Sequence, residues 1–403
     1  MVEWRVCGRL HEVHSALRGR AYGSNVEDVR KTAAHCRSYG RLGKRPAIVK
    51  ALMLTGGKGT RLRPLTHTSA KQLVPVANRP VLFYGLDAIR EAGITDVGLV
   101  IGDTGDEVRA AVGDGAHFGL NVTYIPQQAP LGLAHCVLIS REFLGDDDFV
   151  MYLGDNLLVG GIRNLIGAFQ AGGYAAQLLL SKVAEPQFYG VAELDRDGSI
   201  ISLQEKPELP RSDLAIVGVY AFSPAVHEAV RMITPSARGE LEITDAVQWL
   251  IDRGHRVHSH IVTGYWKDTG RLQDILECNR ILLEEIQPRV DGVVAGRSEM
   301  EGRVVVDPGA VIEDSVLRGP IVIGAGTKVV RSYVGPFTSI AEDCVIEDAE
   351  IEYSIVLGGS TIQGVPRIEY SLIGKDVEVT RAVHVPNAHR LMVGDHSKVQ
   401  LRI

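Results

Sequence analysis

The sequence lacks the features of a membrane-spanning or secreted protein. No uninterrupted apolar run approaches the roughly 18 residues that span a bilayer, and the N-terminus has no apolar signal-peptide core. The five cysteines are odd in number and far apart, with no CxxC pair and no Cys/His cluster at zinc spacing. We therefore expect a cytoplasmic protein with reduced cysteines and no membrane partner.

An excess of positive charge is also missing. The 403 residues carry a formal net charge of -6, which gives no general reason to expect nucleic acid as a partner. Any anion must therefore be bound by local groups. With 45% hydrophobic and 23% charged residues, the chain can bury a sizeable core and is long enough for two domains.

Composition divides the chain into three segments. Residues 1–48 carry ten Lys or Arg against four acidic residues and show no sustained apolar period, so we expect a disordered or non-native extension. In residues 49–288, strand-like and helix-like runs alternate, which predicts a Rossmann-like α/β domain with a mostly parallel central sheet. Residues 289–403 have short, aliphatic, glycine-rich turns.

Local patterns place the first elements of the α/β domain. We predict strands at 49–54, 97–101, 122–125 and 149–153, and a helix at about 133–143. Another helix begins near Pro80, places Leu82, Leu86 and Ile89 on one face and ends at Gly93.

The last segment contains a hexapeptide repeat. Aliphatic residues recur six apart with occasional five-residue steps, at Val305, Val311, Leu317, Ile323, Val329, Val334, Ile340, Ile346, Ile351, Val356, Ile362 and Ile368. A β-sandwich would not hold this period for so long. The repeat predicts a left-handed parallel β-helix in which these side chains point inward and stack.

A glycine-rich segment follows the first predicted strand. Gly56, Gly57 and Gly59 allow backbone N–H groups to approach a polyphosphate, and Arg61 and Lys71 offer positive charge to its oxygens. The spacing matches neither GxxxxGK[ST] nor GxGxxG, so a P-loop and a dinucleotide fold fit less well.

Two aspartates are candidate metal ligands. Asp155 directly follows the predicted strand 149–153, and Asp268 lies in the segment YWKDTG at 265–270. Two carboxylates at strand ends can share one Mg²⁺, which takes its other ligands from water and phosphate. Farther along the chain than Asp155, Glu205 could hold sugar hydroxyls and Lys206 could neutralise a sugar phosphate.

Six segments occur in a fixed order: GGKGTRLRPLT at 56–66, KQLVPV at 71–76, LGDN at 153–156, EKP at 205–207, GELEITD at 239–245 and WKDTG at 266–270. This set and its order resemble the glucose-1-phosphate thymidylyltransferases. The resemblance covers about 50–290, and the appended repeats resemble the long form of the family. It implies Mg²⁺-dependent transfer of a thymidylyl group from dTTP to glucose 1-phosphate, giving dTDP-glucose for a deoxysugar pathway.

The resemblance also implies a role for each matching position. The catalytic residues would be Arg61, Lys71 and Lys206, and the Mg²⁺ ligands Asp155 and Asp268. The nucleotide would be held by Leu54, Gly56, Gly57, Gly59, Thr60, Gln72, Gln127, Gly132 and Asp155. The glucose 1-phosphate would be held by Asn156, Tyr189, Gly190, Glu205, Lys206 and Gly218. One position departs from the family pattern: Thr55 stands where a smaller residue is usual, and we expect its methyl group beside the nucleotide.

Other functions remain open at this stage. The chain could use UTP, since related nucleotidyltransferases share the scaffold, or could also be an acetyltransferase, since hexapeptide repeats are common in that class. His384, His389 and His396 all follow the regular repeats, which favours a structural or oligomerising β-helix, and we expect a homo-oligomer. A non-catalytic regulatory subunit would be expected to lose the arginine, lysine or metal carboxylates, and all of them are present.

Overall fold

The computed structural model describes residues 50–57, 59, 62, 70–196 and 198–381. Several sequence predictions fall outside the described residues: the basic segment 1–48, the site residues Thr60 and Arg61, and the histidines His384, His389 and His396.

The α/β region extends from Lys50 to Leu283. Its strands are β1 (Lys50–Leu54), β2 (Pro75–Val76), β3 (Arg79–Pro80), β4 (Asp96–Ile101), β5 (Asn121–Pro126), β6 (Phe149–Leu153), β7 (Asn156–Leu158), β8 (Ala176–Lys182), β9 (Gly190–Leu194), β10 (Ile200–Glu205), β11 (Leu214–Phe222), β12 (Val257–Ile261) and β13 (Trp266–Asp268). Its α-helices are α1 (Val81–Glu91), α2 (Gly105–Val112), α3 (Leu133–Ile139), α4 (Arg141–Leu144), α5 (Arg163–Gly172), α6 (Val226–Met232), α7 (Ile243–Asp252) and α8 (Leu272–Leu283). Short 3-10 turns occur at Lys71–Leu73, Ala116–Phe118 and Pro186–Phe188.

A nine-stranded sheet forms the centre of this region. Its strand order is β10-β9-β11-β6-β1-β4-β5, with β8 paired to β11 and β12 paired to β8. The strands β6, β1, β4 and β5 are parallel, as the alternating pattern predicts. The sheet then continues through antiparallel pairs, first between β6 and β11, and β12 is added parallel to β8. The parallel half brings the ends of β1, β4 and β6 to one edge, where open α/β sheets bind ligands.

The predicted helices are present, with one interruption. In α1, the apolar stripe of Leu82, Leu86 and Ile89 is fully buried against the sheet, and Gly93 follows the helix at a φ of 83°. The helix predicted at 133–143 is divided into α3 and α4 at Ser140, whose hydroxyl donates to the Cys136 carbonyl at 2.7 Å. Such a bond to the carbonyl four residues earlier competes with regular helix and bends it.

Three stacked parallel sheets follow α8. The first consists of β14 (Arg289–Val290), β17 (Val304–Val306), β20 (Ile321–Ile323), β23 (Thr338–Ile340), β26 (Ile355–Val356) and β29 (Leu372–Ile373). The second consists of β15 (Val293–Ala295), β18 (Val311–Glu313), β21 (Lys328–Val330), β24 (Val345–Glu347), β27 (Thr361–Gln363) and β30 (Glu378–Thr380). The third consists of β16 (Glu299–Glu301), β19 (Val316–Arg318), β22 (Tyr333–Val334), β25 (Glu350–Glu352) and β28 (Ile368–Glu369). This is the left-handed β-helix predicted from the repeat.

The side chains that point into the β-helix form an inward column. This column agrees with the predicted repeat after the first two predicted positions. From Leu317 to Ile362 the predicted aliphatic residues are buried in one core. In the first coils the predicted phase is wrong by one residue, because Val306 and Ile312 fill this core instead of Val305 and Val311. Val305 is also buried, but it packs on Leu283 of α8.

The outward column of the first sheet therefore contacts the α/β region. Val305, Val322, Ser339, Ile355 and Leu372 occupy equivalent positions on successive strands. Because side chains alternate between the two faces of a strand, this column points away from the core that Val306 helps to fill. Its apolar members pack with residues of α8 and of the β2–β3 hairpin.

Candidate active site

The glycine-rich segment lies where three parallel strands end. A Cβ on Gly102, after β4, would lie 3.3 Å from the Cα of Gly56. A Cβ on Gly154, after β6, would lie 3.0 Å from the carbonyl oxygen of Leu54. Glycine at these positions lets the three chain segments approach closely, which gives the cavity a floor of backbone.

A cavity of about 530 Å³ opens above this floor. Its lining contains ten residues predicted for the site, namely Leu54, Gly56, Gly57, Gly59, Lys71, Gln72, Gln127, Gly132, Asp155 and Asp268. Pro130, Leu133, Cys136, Leu153, Glu240 and Gly270 complete the lining. The sequence motifs are therefore brought together in one concave site of the size that small ligands require.

Lys71 lies between the two predicted metal ligands. Its Nζ is 2.6 Å from Oδ2 of Asp155 and 3.1 Å from Oδ1 of Asp268. Burial opposes the charged form of Lys71, but the two carboxylates outweigh it and raise its pKa above the usual range. The pKa of Asp155 is lowered, since the charge of Lys71 outweighs the effect of burial. Burial and the neighbouring charge of Asp155 raise the pKa of Asp268.

A short antiparallel ribbon positions the two aspartates. In the β7–β13 pair, Asp268 lies opposite Asn156, the residue that follows Asp155. The backbone N–H and the hydroxyl of Thr269 both donate to the Asp155 carbonyl, at 3.0 and 2.8 Å. The spacing of the carboxylates is therefore fixed by backbone pairing.

Asn156 supports Asp155 from beneath and is itself buried. Its Nδ2 donates to Oδ1 of Asp155 at 2.9 Å, and its Oδ1 accepts from Nε1 of Trp266 at 2.7 Å. Gly218 on β11 leaves room for this amide, because a Cβ there would lie 2.7 Å from the Asn156 oxygen. Asn156 and Gly218 thus lie against Asp155 and Trp266, and their predicted role in binding the sugar stays a prediction.

Two glutamine side chains of the cavity lining lie beside the glycine-rich backbone, since a Cβ on Gly56 would lie 3.0 Å from Oε1 of Gln127 and a Cβ on Gly57 3.6 Å from Nε2 of Gln72. Gln72 is 2% exposed, and its Oε1 has no hydrogen-bond partner among the residues that the structure describes. Nε2 of Gln127 lies 3.1 Å from Nδ1 of His135, a ring whose pKa is lowered by burial. Because neutral His135 can accept there, it can orient the Gln127 amide.

Gly132 lies in the cavity lining beside Gln127 and against the segment GELEITD. It has a φ of 105°, and a Cβ would lie 2.3 Å from the carbonyl oxygen of Leu241. The N–H of Leu241 donates to the Leu131 carbonyl at 2.8 Å, and its own carbonyl accepts from the N–H of Ala134 at 3.1 Å. The backbone of Leu241 thus holds the loop that precedes α3, and any side chain at 132 would obstruct it.

The residues predicted for the sugar phosphate form a second cluster. Glu205 ends β10 opposite Gly190, and its Oε1 is 3.2 Å from Nζ of Lys206. The N–H of Lys206 donates to the Tyr189 carbonyl at 3.0 Å. The Tyr189 ring contacts the edge of Trp266 at a centroid distance of 5.6 Å, so the cluster connects to the strand that carries Asp268.

Arg238 connects the sugar-phosphate cluster to the cavity. The sequence predictions missed this residue. Its guanidinium lies 3.0 Å from Oε1 of Glu205 and 2.9 Å from Oε2 of Glu240, which lines the cavity. Arg238 directly precedes the segment GELEITD that was singled out at 239–245. The available signal was a charged side chain directly beside a segment shared with the family.

The expectation for Thr55 is wrong. Its hydroxyl donates to the Val100 carbonyl at 2.7 Å, and the side chain is 1% exposed. The methyl group faces Gly154, where a Cβ would lie 3.1 Å from it. Thr55 therefore contributes to the packing between strand ends and lies outside the cavity wall.

Comparison with known proteins identifies the family. Residues 50–285 match the family model for nucleotidyl transferases. The chain is 64% identical over 353 residues to a glucose-1-phosphate thymidylyltransferase of Streptomyces griseus, covering 88% of this chain and 99% of that protein. It is 60% identical over 355 residues to the enzyme of the same name from Streptomyces antibioticus, covering 88% of this chain and all of that protein.

A solved structure agrees with this relationship. A putative glucose-1-phosphate thymidylyltransferase from Bacillus anthracis, in complex with a sucrose, superposes with a TM-score of 0.56 at 33% identity. The match covers 59% of this chain and 96% of that one. Within the described residues, no helix is both long and apolar enough to cross a membrane. The chain belongs to the nucleotidyl transferase family and, within it, to the glucose-1-phosphate thymidylyltransferases.

Proposed function

We propose that this protein transfers a thymidylyl group from dTTP to α-D-glucose 1-phosphate, giving dTDP-glucose and pyrophosphate. The observation that carries the proposal is the position of Lys71 between Asp155 and Asp268, inside a cavity whose floor is the glycine-rich backbone. Phosphoryl and nucleotidyl transfer need positioned charge around the phosphates more than a covalent nucleophile. Lys71, Asp155 and Asp268 place such charged groups together at one point of the cavity.

The base would lie between Gln72 and Gln127. Thymine has a donor N–H between two carbonyl acceptors, so it can donate to the unpartnered Oε1 of Gln72. A buried acceptor without a partner is costly to the free protein and is compensated when such a ligand binds. We assign the triphosphate to Gly56, Gly57 and Gly59, together with Thr60, Arg61 and Lys71.

The donor set fits a magnesium ion. Asp155 and Asp268 offer oxygen ligands from two strands, and Mg²⁺ typically takes one or two carboxylates and fills its octahedron with water and phosphate oxygens. In the described part of the chain, no three His, Cys, Asp or Glu side chains cluster as a metal site. When bound, the ion would neutralise charge on the phosphate oxygens.

The sugar phosphate would lie at the second cluster. Glu205 can accept hydrogen bonds from sugar hydroxyls, and Lys206 and Arg238 can neutralise the phosphate that must approach the α-phosphate of dTTP. Tyr189 and Gly190 complete this wall. A Cβ on Gly190 would lie 2.9 Å from Cγ2 of Thr244, so a larger residue would push the two apart.

The reaction then proceeds by in-line displacement. A phosphate oxygen of glucose 1-phosphate attacks the α-phosphorus of dTTP, a new P–O bond forms, and the bond to the leaving pyrophosphate breaks. Lys71 and Arg61 stabilise charge on the α-phosphate and the leaving group, while Lys206 and Arg238 hold the anionic attacker against its like-charged target. One P–O bond forms as another breaks, so the reaction needs no covalent intermediate with the protein.

The proposal includes a cytoplasmic homo-oligomer. Cys136, Cys278 and Cys344 are buried and unpaired, which suits a reducing compartment. Light scattering of the purified protein after size-exclusion chromatography would measure the oligomeric state.

Incubation of the purified protein with dTTP, glucose 1-phosphate and Mg²⁺ tests the activity. We expect pyrophosphate release together with a product of the mass of dTDP-glucose, and the reverse reaction from dTDP-glucose and pyrophosphate. Binding of dTTP without pyrophosphate release would support a regulatory subunit, and acetylation of an amino sugar phosphate by acetyl-CoA would show a second activity.

A further inference from the structure

Asn279, on α8, is a buried amide between the α/β region and the β-helix. It is 0% exposed. Its Oδ1 accepts from the N–H of Ala77 at 2.8 Å and from the Ser339 hydroxyl at 2.6 Å. Its Nδ2 donates to the Phe337 carbonyl at 3.0 Å. One side chain therefore ties the β2–β3 hairpin to the coil that contains β23.

The hairpin turn that it holds is strained. Ala77 and Asn78 have φ values of 48° and 59°, in the left-handed region that non-glycine residues rarely occupy. The Asn78 amide donates to the Ile340 carbonyl of the β-helix at 2.6 Å. Strained turns persist where the surrounding structure determines them, and here the determinants are Asn279 and a strand of the β-helix.

This hairpin is continuous with the catalytic segment. The 3-10 turn Lys71–Leu73 ends two residues before β2. The N–H of Val74 donates to the Lys71 carbonyl at 3.2 Å, and the N–H of Val81 donates to the Val74 carbonyl at 3.3 Å. A displacement of the hairpin would therefore be transmitted to the backbone of Lys71 and Gln72.

Apolar packing joins the same elements. Val74, Val76 and Val81 share one cluster with Ile355 and Leu357 of the β-helix and with Ile275 and Cys278 of α8. Interiors packed in this way transmit small displacements, because they contain few voids that could absorb them.

We propose that the β-helix positions the catalytic segment, and that Asn279, Asn78 and Ser339 are the positioning residues through which it acts on Lys71 and Gln72. The β-helix would thus contribute to turnover in addition to any role in assembly. This inference rests on the proposed function, because it concerns the residues assigned there to the α-phosphate and the base.

Two full-length variants remove the connection with little disturbance elsewhere. Asn78→Gly deletes the bond to Ile340 and leaves a residue that tolerates positive φ. Ser339→Ala deletes one bond to Asn279. Ser332→Ala is the matched control, because its hydroxyl donates to Val330 and accepts from Ala349, both within the β-helix.

The steady-state kinetic constants of these variants test whether the β-helix positions the catalytic segment. In Asn78→Gly and Ser339→Ala we expect kcat to fall about threefold and the KM for dTTP to rise about twofold, a combined loss in kcat/KM of the size expected for one hydrogen bond. The KM for glucose 1-phosphate should stay within twofold of wild type, and Ser332→Ala should match wild type in all constants. Unchanged constants in both variants, or an equal loss in Ser332→Ala, would overturn the inference.

Local hydrogen exchange separates this inference from the proposed function. If wild type fails to turn over dTTP and glucose 1-phosphate, the proposed function fails, and amide exchange in residues 71–76 becomes the deciding measurement. Faster exchange there in Asn78→Gly and Ser339→Ala, with unchanged exchange in Ser332→Ala, supports the connection. Equal exchange in all four proteins overturns it.

Discussion

The Nζ of Lys71 lies 2.6 Å from Oδ2 of Asp155, although the two residues are 84 positions apart in the chain. The pair forms because the 3-10 turn after the glycine-rich segment faces the end of β6. Asp268 reaches the same ammonium from β13. Charge of both signs is thus held at one point of the cavity before any substrate binds, which is the preorganisation that nucleotidyl transfer requires.

Asp155→Asn should greatly reduce turnover while the fold is retained. The amide keeps the size of the side chain but removes the charge that faces Lys71 and the proposed Mg²⁺, so we expect kcat to fall by about 10²–10³-fold. Pyrophosphate release measures this loss, and the melting temperature checks the fold. Asp146→Asn is the control, since that side chain is 85% exposed. Near wild-type activity of Asp155→Asn at ordinary Mg²⁺ would contradict the metal assignment.

Gln72→Leu should weaken nucleotide binding without destabilising the free protein. The Oε1 of Gln72 has no partner within the described residues, so its removal costs the fold no hydrogen bond but costs the base an acceptor. We expect the KM for dTTP to rise about tenfold and the melting temperature to stay level or rise. Kinetics and thermal unfolding check both parts. A lower melting temperature with an unchanged KM would show a structural role instead.

Gly132→Ala should damage both the fold and nucleotide binding. A Cβ would lie 2.3 Å from the Leu241 carbonyl oxygen, and the φ of 105° is itself strained for alanine. Gly93→Ala isolates the backbone effect, because a Cβ there meets nothing within 4 Å at a φ of 83°. We expect a cost of about 1–2 kcal/mol for the control and of about 3 kcal/mol or more for Gly132→Ala. Equal losses in a denaturant titration would refute the predicted clash.

The reactivity of Cys136 should depend steeply on pH. Burial raises the pKa of its thiol from 9.0 to about 12, so the neutral form dominates below that pH and the thiolate that reacts with iodoacetamide is rare. From pH 8 towards 12, labelling of Cys136 should rise about tenfold per pH unit, because each unit increases the thiolate fraction tenfold.

Cys278 provides the matched control for this labelling. Burial raises its pKa to about 12 as well, but it lies on α8 in the apolar cluster shared with the β-helix, while Cys136 lines the cavity. We expect dTTP to protect Cys136 and to leave the labelling of Cys278 unchanged, as measured by mass spectrometry of the peptides. Protection of both thiols, or of neither, would argue against a base bound beside Gln127 and Cys136.

The sequence predicted the parts of the site that depend on local pattern. The position of Asp155 could be foreseen, because it follows β6 and parallel strands deliver their ends to one edge of the sheet. Lys71 lies in a 3-10 turn and Asp268 ends a strand of a separate antiparallel pair, so their place in the site followed only from the motifs shared with the family. The contacts of Asn156 could not be foreseen, because Trp266 and Gly218 reach it from two strands that are distant in the sequence.

The β-helix illustrates the same limit. Its inward column was readable from the aliphatic period, but the sequence does not show that the outward column containing Val305 and Ser339 is buried. Its burial arises only because α8 and the β2–β3 hairpin cover that face. Sequence periodicity therefore led to a one-residue error in the first coils, where both faces of the strand are apolar.

The central claim is the pairing of dTTP with glucose 1-phosphate, and a pyrophosphate-release assay over dTTP, UTP, CTP, ATP and GTP against several sugar 1-phosphates tests it most directly. We predict that kcat/KM is highest for dTTP with glucose 1-phosphate and that the product has the mass of dTDP-glucose. A higher kcat/KM for another nucleotide or another sugar, or the absence of pyrophosphate release with every pair, would contradict the account.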